Sequence, residues 1–185
     1  MEEITFSIDT CVAVQQDIEE AACMAEEFFH SIPDPYQLKV DTANFNWVHT
    51  RFPECLNIIK SGEKVAGVTM IIPATTQLRN DFLSKKISEF ELFERIKQTV
   101  TRENFDAVYM CLVFVSSEFR GQALGQRSFE MSLRKLCGER KIPLFFWAYV
   151  PCGTVVAKKV ATALGLDISG IEGAAHPSSG QACGV

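Results

Sequence analysis

The sequence predicts a mixed α/β domain, and three observations carry that reading. Continuous apolar runs at 107–115 and 144–150 have the length of buried strands. Stretches at 16–30, 88–100, 126–137 and 154–164 repeat apolar residues at helical spacing. In the second half the two kinds alternate, strand then helix then strand then helix, as in a sheet covered by helices.

Residues 2–8 alternate weakly, as a short edge strand does. Ile18, Ala22, Ala25, Phe28 and Phe29 share one face of a helix at 16–30, which Pro33 and Pro35 end. A shorter helix is expected at 42–51. Apolar runs at 54–60 and 65–72 flank Ser61-Gly62-Glu63-Lys64, the pattern of an antiparallel hairpin, with Pro73 ending its second strand. The insertion at 73–105 is mostly polar and shows one helix. Ser88 and Glu91 have capping-box spacing there, with Ile87 and Leu92 as the hydrophobic staple. The helix at 126–137 has Phe129, Leu133, Leu136 and Cys137 as its expected buried stripe, and Gly138 closes it. In the last helix, 154–164, Val156, Val160, Ala163 and Leu164 share a face. The expected layout is one domain over 1–172 and a Gly-, Ser- and Ala-rich mobile tail over 173–185.

At 185 residues the chain can bury a sizeable core, and 47% apolar with 22% charged residues fits a soluble globular protein. The apolar runs are too short to span a membrane. Seven cysteines without CxxC or CxxH spacing argue against a disulfide framework or zinc site. The three histidines lack metal-ligand spacing, so no metal is expected. The acidic start, Met1-Glu2-Glu3, is unlike a secretory signal, and a cytoplasmic location is expected. A net charge of -5 argues against general affinity for nucleic acid or anionic membrane, so any anion site must be local.

Such a site is indicated at Arg120-Gly121-Gln122-Ala123-Leu124-Gly125. This small-residue turn lies between the apolar run ending at Val115 and the helix beginning near Gln126. Strand, turn and helix together aim backbone N–H groups at one point on the positive end of a helix dipole, where phosphates bind. No Gly-Lys-Ser/Thr follows, which argues against a P-loop kinase.

Val115-Ser116-Ser117-Glu118-Phe119-Arg120-Gly121-Gln122-Ala123-Leu124-Gly125, set in this order of elements, resembles the signature of the GCN5-related N-acetyltransferase (GNAT) superfamily. Val65-Ala66-Gly67-Val68 and the final helix ending in Leu164-Gly165-Leu166 support the resemblance, which covers roughly residues 4–170. It implies a mixed central sheet, splayed between strands four and five, with helices on both faces. It implies acetyl-CoA, or another acyl-CoA, as donor. The pyrophosphate would rest on the backbone of Arg120, Gly121, Gln122, Ala123, Leu124, Gly125 and Gln126. Pantetheine would pair with the main chain of Val113 and Val115 as an added strand. The acceptor would be a small-molecule or peptide amine, bound by the region 31–51 and the insertion 73–104. Monomer and homodimer both stay open.

Three positions depart from the family pattern. Ala123 replaces a glycine; a right-handed backbone there would tolerate the methyl group. Thr154 and Ala161 stand where many members have Asn and a Tyr that protonates the CoA thiolate. Tyr109 stands where others have a Glu base. Acyl transfer to an amine still needs only alignment, loss of one proton and a donor to the thioester oxygen, which a backbone N–H near residues 112–115 would supply. Tyr109 and Glu118 are the candidate catalytic residues. The plainer reading makes Tyr109 a core aromatic and Glu118 a surface residue orienting Arg120. Cys111 reads as a small buried apolar residue, and Trp147 and Tyr149 as core or cleft wall. Two functions compete: an acyl-CoA-dependent N-acyltransferase, and a non-catalytic acyl-CoA-binding module lacking the proton-transfer groups.

Overall fold

Gly62 takes a φ of +60°, the left-handed turn that a two-residue hairpin loop requires, and joins β2 (Leu56–Ser61) to β3 (Lys64–Ala74). Around this hairpin the computed structural model describes residues 6–9, 14–31 and 33–173. The remaining elements are β1 (Phe6–Asp9), α1 (Gln15–Phe29), α2 (Thr42–Arg51), α3 (Thr76–Leu83), α4 (Glu89–Thr99), β4 (Ala107–Val115), α5 (Leu124–Cys137), β5 (Leu144–Ala148), α6 (Pro151–Leu164) and β6 (Ile168–Glu172). The strands form one mixed sheet in the order β1-β2-β3-β4-β5-β6. The β1–β2 and β2–β3 pairs are antiparallel, and β4–β5 and β5–β6 are parallel. The expected mobile tail from 173 onward lies outside the described residues, apart from Gly173.

The chain falls into two compact units, each drawn from three stretches of sequence. The first comprises Met1–His30, Val40–Ile71 and Cys111–Arg140. Its helices flank β2 on both sides. Asn57 of β2 donates to Ser128 Oγ (3.0 Å) and Ser132 Oγ (2.6 Å) of α5. The Lys60 ammonium, on the opposite face of β2, meets Asp17 of α1 at 3.0 Å. Ile18, Ala21, Ala22 and Ala25 bury the inner face of α1. On the α5 side Ile59, Ala66, Phe119 and Leu124 make a buried cluster, covered by Phe6 and Val115.

The second unit comprises Ser31–Lys39, Ile72–Met110 and Lys141–Val185. Phe82 of α3, Tyr109 of β4 and Phe145 of β5 pack ring against ring in its core, with centroids 5.0–6.0 Å apart. The β4–β5 register covers Val108, Tyr109 and Met110 only, while β5 continues along β6 to Ala148. The β4–β5 ladder therefore ends at Met110 and Phe146.

Several expectations need correction. Pro73 lies within β3, which runs on to Ala74, whose carbonyl accepts from the Asp106 N–H (3.1 Å). The insertion holds a second helix, α3, capped by the Thr75 hydroxyl. A sixth strand, β6, follows the last helix. The stripe of α6 is Ala157, Val160 and Ala161, rotated from the expected face. Leu136 is only half-buried, and Ser128 and Ser132 take its place on the inner face of α5 because Asn57 supplies them a polar partner.

Candidate functional site

The turn after β4 is built by anchoring both of its ends. Phe119 closes a short 3-10 turn, Ser117–Phe119, and buries its ring edge-on to Phe6 at 5.6 Å. At the near end β3 and β4 approach so closely that a Cβ on Gly67 would lie 2.4 Å from the Phe114 carbonyl oxygen. The Ser116 N–H then donates to the Ala66 carbonyl at 2.9 Å. Between these anchors the chain turns through Gly121, at φ +84°.

Ala123 also turns left-handed, at φ 55° and ψ 21°, and is the N-cap of α5. The right-handed backbone expected for it is therefore wrong. A non-glycine residue in this region costs about 1 kcal/mol, and Ala123 has no side-chain oxygen to cap the helix in return. Among the described residues, no protein acceptor takes the N–H groups of residues 121–126, and the space above Gly121 is open. Six donors at the positive end of a 14-residue helix make an anion cradle. That feature suits a pyrophosphate.

Each carried-over residue has a definite place. Gln122 is exposed, Leu124 is buried and Gln126 is half-buried with its amide on Glu130 (2.9 Å). Gly125 lies against β4, where a Cβ would come within 2.6 Å of Val113 Cγ2. A glycine here lets α5 start close against the strand. The Arg120 side chain turns away from the cradle, donating to the Val115 carbonyl (2.9 Å) with its guanidinium 6.0 Å from the Phe28 ring centre. Val113 and Val115 lie on β4 beyond the residues in register with β5. Glu118 pairs with Lys64 at the exposed surface, so its carboxylate already has a cation.

Tyr109 is fully buried, and its hydroxyl donates to Glu89 Oε1 at 2.5 Å. Glu89 is the first residue of α4 and only 7% exposed; its Oε2 accepts from the Leu38 N–H at 2.9 Å. Burial pushes this carboxyl up to about 7, and nearby Asp34 adds to the effect. The hydrogen bonds from Tyr109 and Leu38 oppose it. All of these groups belong to the second unit. The Phe90 N–H also donates to the Tyr36 carbonyl (3.0 Å), so α4 holds the 34–38 segment by two bonds.

Glu89 was not singled out from sequence, because an acid in a first helical turn is the ordinary pattern. Its signal was the helical spacing of Glu89 with Leu92, Phe93 and Ile96, which puts it on the buried side of α4. Cys111 is half-buried and unbridged. Tyr149 is partly exposed, and Trp147 donates to the Gly173 carbonyl (2.9 Å). Ala161 is buried in the core. Among the described residues, no group of three His, Cys, Asp or Glu could hold a metal ion, and no helix is long and apolar enough to cross a membrane.

No family model matches the chain, and no curated protein matches it. Solved structures do. A mosquito arylalkylamine N-acetyltransferase-like 5b protein aligns over 84% of this chain and 82% of its own, with 11% identity and a TM-score of 0.50. The loading GNATL domain of CurA from Lyngbya majuscula covers 72% of the chain at 17% identity and TM-score 0.49, the match spanning 58% of that domain's structure. An N-acetyltransferase from Staphylococcus aureus Mu50 covers 86% of this chain and 89% of its own at 14% identity and TM-score 0.46. The mixed six-stranded sheet, the short β4–β5 register and the turn into α5 are thus a GCN5-related N-acetyltransferase fold.

Proposed function

We propose that the chain is an acyl-CoA-dependent N-acyltransferase that joins an acetyl or other acyl group to a primary amine. The observation carrying this reading is the set of N–H groups at residues 121–126 that no described protein acceptor takes. These would hold the CoA pyrophosphate, and the main chain of Val113 and Val115 would lie along pantetheine. Arg120 already holds the Val115 carbonyl, so Val113 would offer the freer pairing groups. When bound, the thioester supplies an activated acyl carbon with a thiolate leaving group.

The protein's own part is alignment, exclusion of water and proton removal. A backbone N–H among residues 112–115 would donate to the thioester oxygen. The neighbouring structure named for arylalkylamines supports an amine acceptor. The negative net charge suits a cationic one. We place the protein in the cytoplasm, as monomer or homodimer.

A non-catalytic acyl-CoA-binding module is the second reading, favoured by Thr154 and by Ala161, whose methyl group is packed into the core. Thiol release from acetyl-CoA, measured with a panel of primary amines beside acetyl-CoA binding, separates the two. Amine-dependent release supports the transferase. Binding without release supports the module.

A further inference from the structure

Phe28, near the end of α1, is 42% exposed, although three groups gather on it. Its ring packs against Phe29 (4.9 Å between centroids) and against Phe114 of β4 (5.6 Å). The Arg120 guanidinium lies 6.0 Å from its centre. All four residues belong to the first unit. Side chains alternate along β4, and Val113 and Val115 face Gly125 near the start of α5. Phe114 therefore points to the opposite face, and the rings lie across β4 from that side. Arg120 is anchored by its Nε bond to the Val115 carbonyl (2.9 Å), and among the described residues its two Nη groups have no acceptor. Glu118, two residues earlier, pairs with Lys64 instead. An exposed ring alone, or an unpaired surface arginine alone, is ordinary. Here the main chain holds the arginine against the ring, so one molecule can meet both.

We propose that Phe28 and Arg120 together recognise the acceptor, and that this acceptor is a primary amine bearing both an aromatic ring and a carboxylate, as an aromatic amino acid does. This rests on the N-acyltransferase reading. The ligand's ring would extend the Phe28–Phe29–Phe114 cluster, since aromatic pairs gain from offset and edge contacts beyond the area they bury. Its carboxylate would take the free Nη donors of Arg120, a planar fork that matches two carboxylate oxygens. Its amine is the group that is acylated. A ring carrying a phosphate, such as the adenosine end of CoA, has the same two features. That end is tied to the pyrophosphate, whose cradle starts α5 on the other face of β4. Donor and acceptor thus approach β4 from opposite faces and do not compete for one site.

The test uses the full chain and thiol release from acetyl-CoA with L-phenylalanine, phenethylamine and L-alanine. The first carries ring and carboxylate, the second only the ring, the third only the carboxylate. Wild-type kcat/KM should favour phenylalanine over each of the others by about fivefold or more, chiefly through KM. Phe28→Ala should erase the preference over alanine, and Arg120→Gln the preference over phenethylamine. Any loss of acyl-CoA affinity or of folded protein falls on all acceptors alike and cancels from these ratios. Phe28→Tyr should keep the preference. Saturation-transfer NMR should show L-phenylalanine binding to wild type and weakened in F28A and R120Q. Equal kcat/KM for the three acceptors, preferences that survive both substitutions, no phenylalanine binding, or no release with any acceptor would each overturn the proposal. So would weaker binding of CoA, but not of 4′-phosphopantetheine, in both variants, which would give the platform to the donor's adenosine. Calorimetric titration of wild type with acetyl-CoA separates the failures. Binding retained means that only the acceptor assignment is wrong, and binding absent means that the acyl-CoA reading falls as well.

Discussion

Ala123 and Glu89 are the two residues whose chemistry runs against their surroundings. Ala123 holds a left-handed backbone without being glycine. Ala123→Gly should therefore stabilise the protein by up to about 1 kcal/mol in a denaturant titration, since relief of strain outweighs the added unfolded-state entropy. A loss of stability would contradict the strain argument. Glu89 has its carboxyl raised in the folded state from 4.5 to about 7. Between these values the folded state binds the extra proton, so this contribution is complete below about 4.5 and is lost as pH rises through 7. By linkage the loss is of order 3 kcal/mol. Melting temperature followed across this window should fall less steeply in E89Q than in wild type. Equal slopes would show that Glu89 is not the titrating group. The turn's glycines could be read from sequence because small residues after a strand announce themselves. The sign of φ at Ala123 could not, because it follows from packing in three dimensions, and the burial of Glu89 showed only in its helical spacing with Leu92, Phe93 and Ile96.

Among the elements, α4 was legible through Ser88 and Glu91, whose capping box forms in full. Ser88→Ala should cost about 1 kcal/mol in chemical unfolding and leave E89-dependent titration in place. No change in stability would mean that the cap is redundant. Close packing of β3 on β4 gives a sharper test. Gly67→Ala would press a methyl group onto the Phe114 carbonyl, and a loss of about 2–3 kcal/mol is expected; a neutral substitution would contradict the spacing. The elements that escaped the sequence are short and weakly patterned. In α3 only Leu78 and Phe82 are buried, and β6 reads Ile-Ser-Gly-Ile-Glu, with no apolar run. The early start of α6 came from Pro151, which is well suited to a first helical turn but reads equally as a loop residue. Long periodic segments declare themselves; five-residue strands held by their neighbours do not.

For the whole molecule, the order of strands and helices is a GCN5-related N-acetyltransferase fold, and the central claim is that its turn binds acyl-CoA. Gly125→Glu is a poor probe of this, because any side chain there strikes Val113 before it meets a ligand. Gln122→Glu is the better one, since Gln122 is exposed in the turn and adds charge without disturbing packing. The deciding measurement is isothermal titration of wild-type and Q122E protein with acetyl-CoA at low salt. Saturable wild-type binding, weakened at least severalfold in Q122E by repulsion between like charges, is the predicted result. No binding by the wild type, or equal affinity in both proteins, would contradict a pyrophosphate site on residues 121–126.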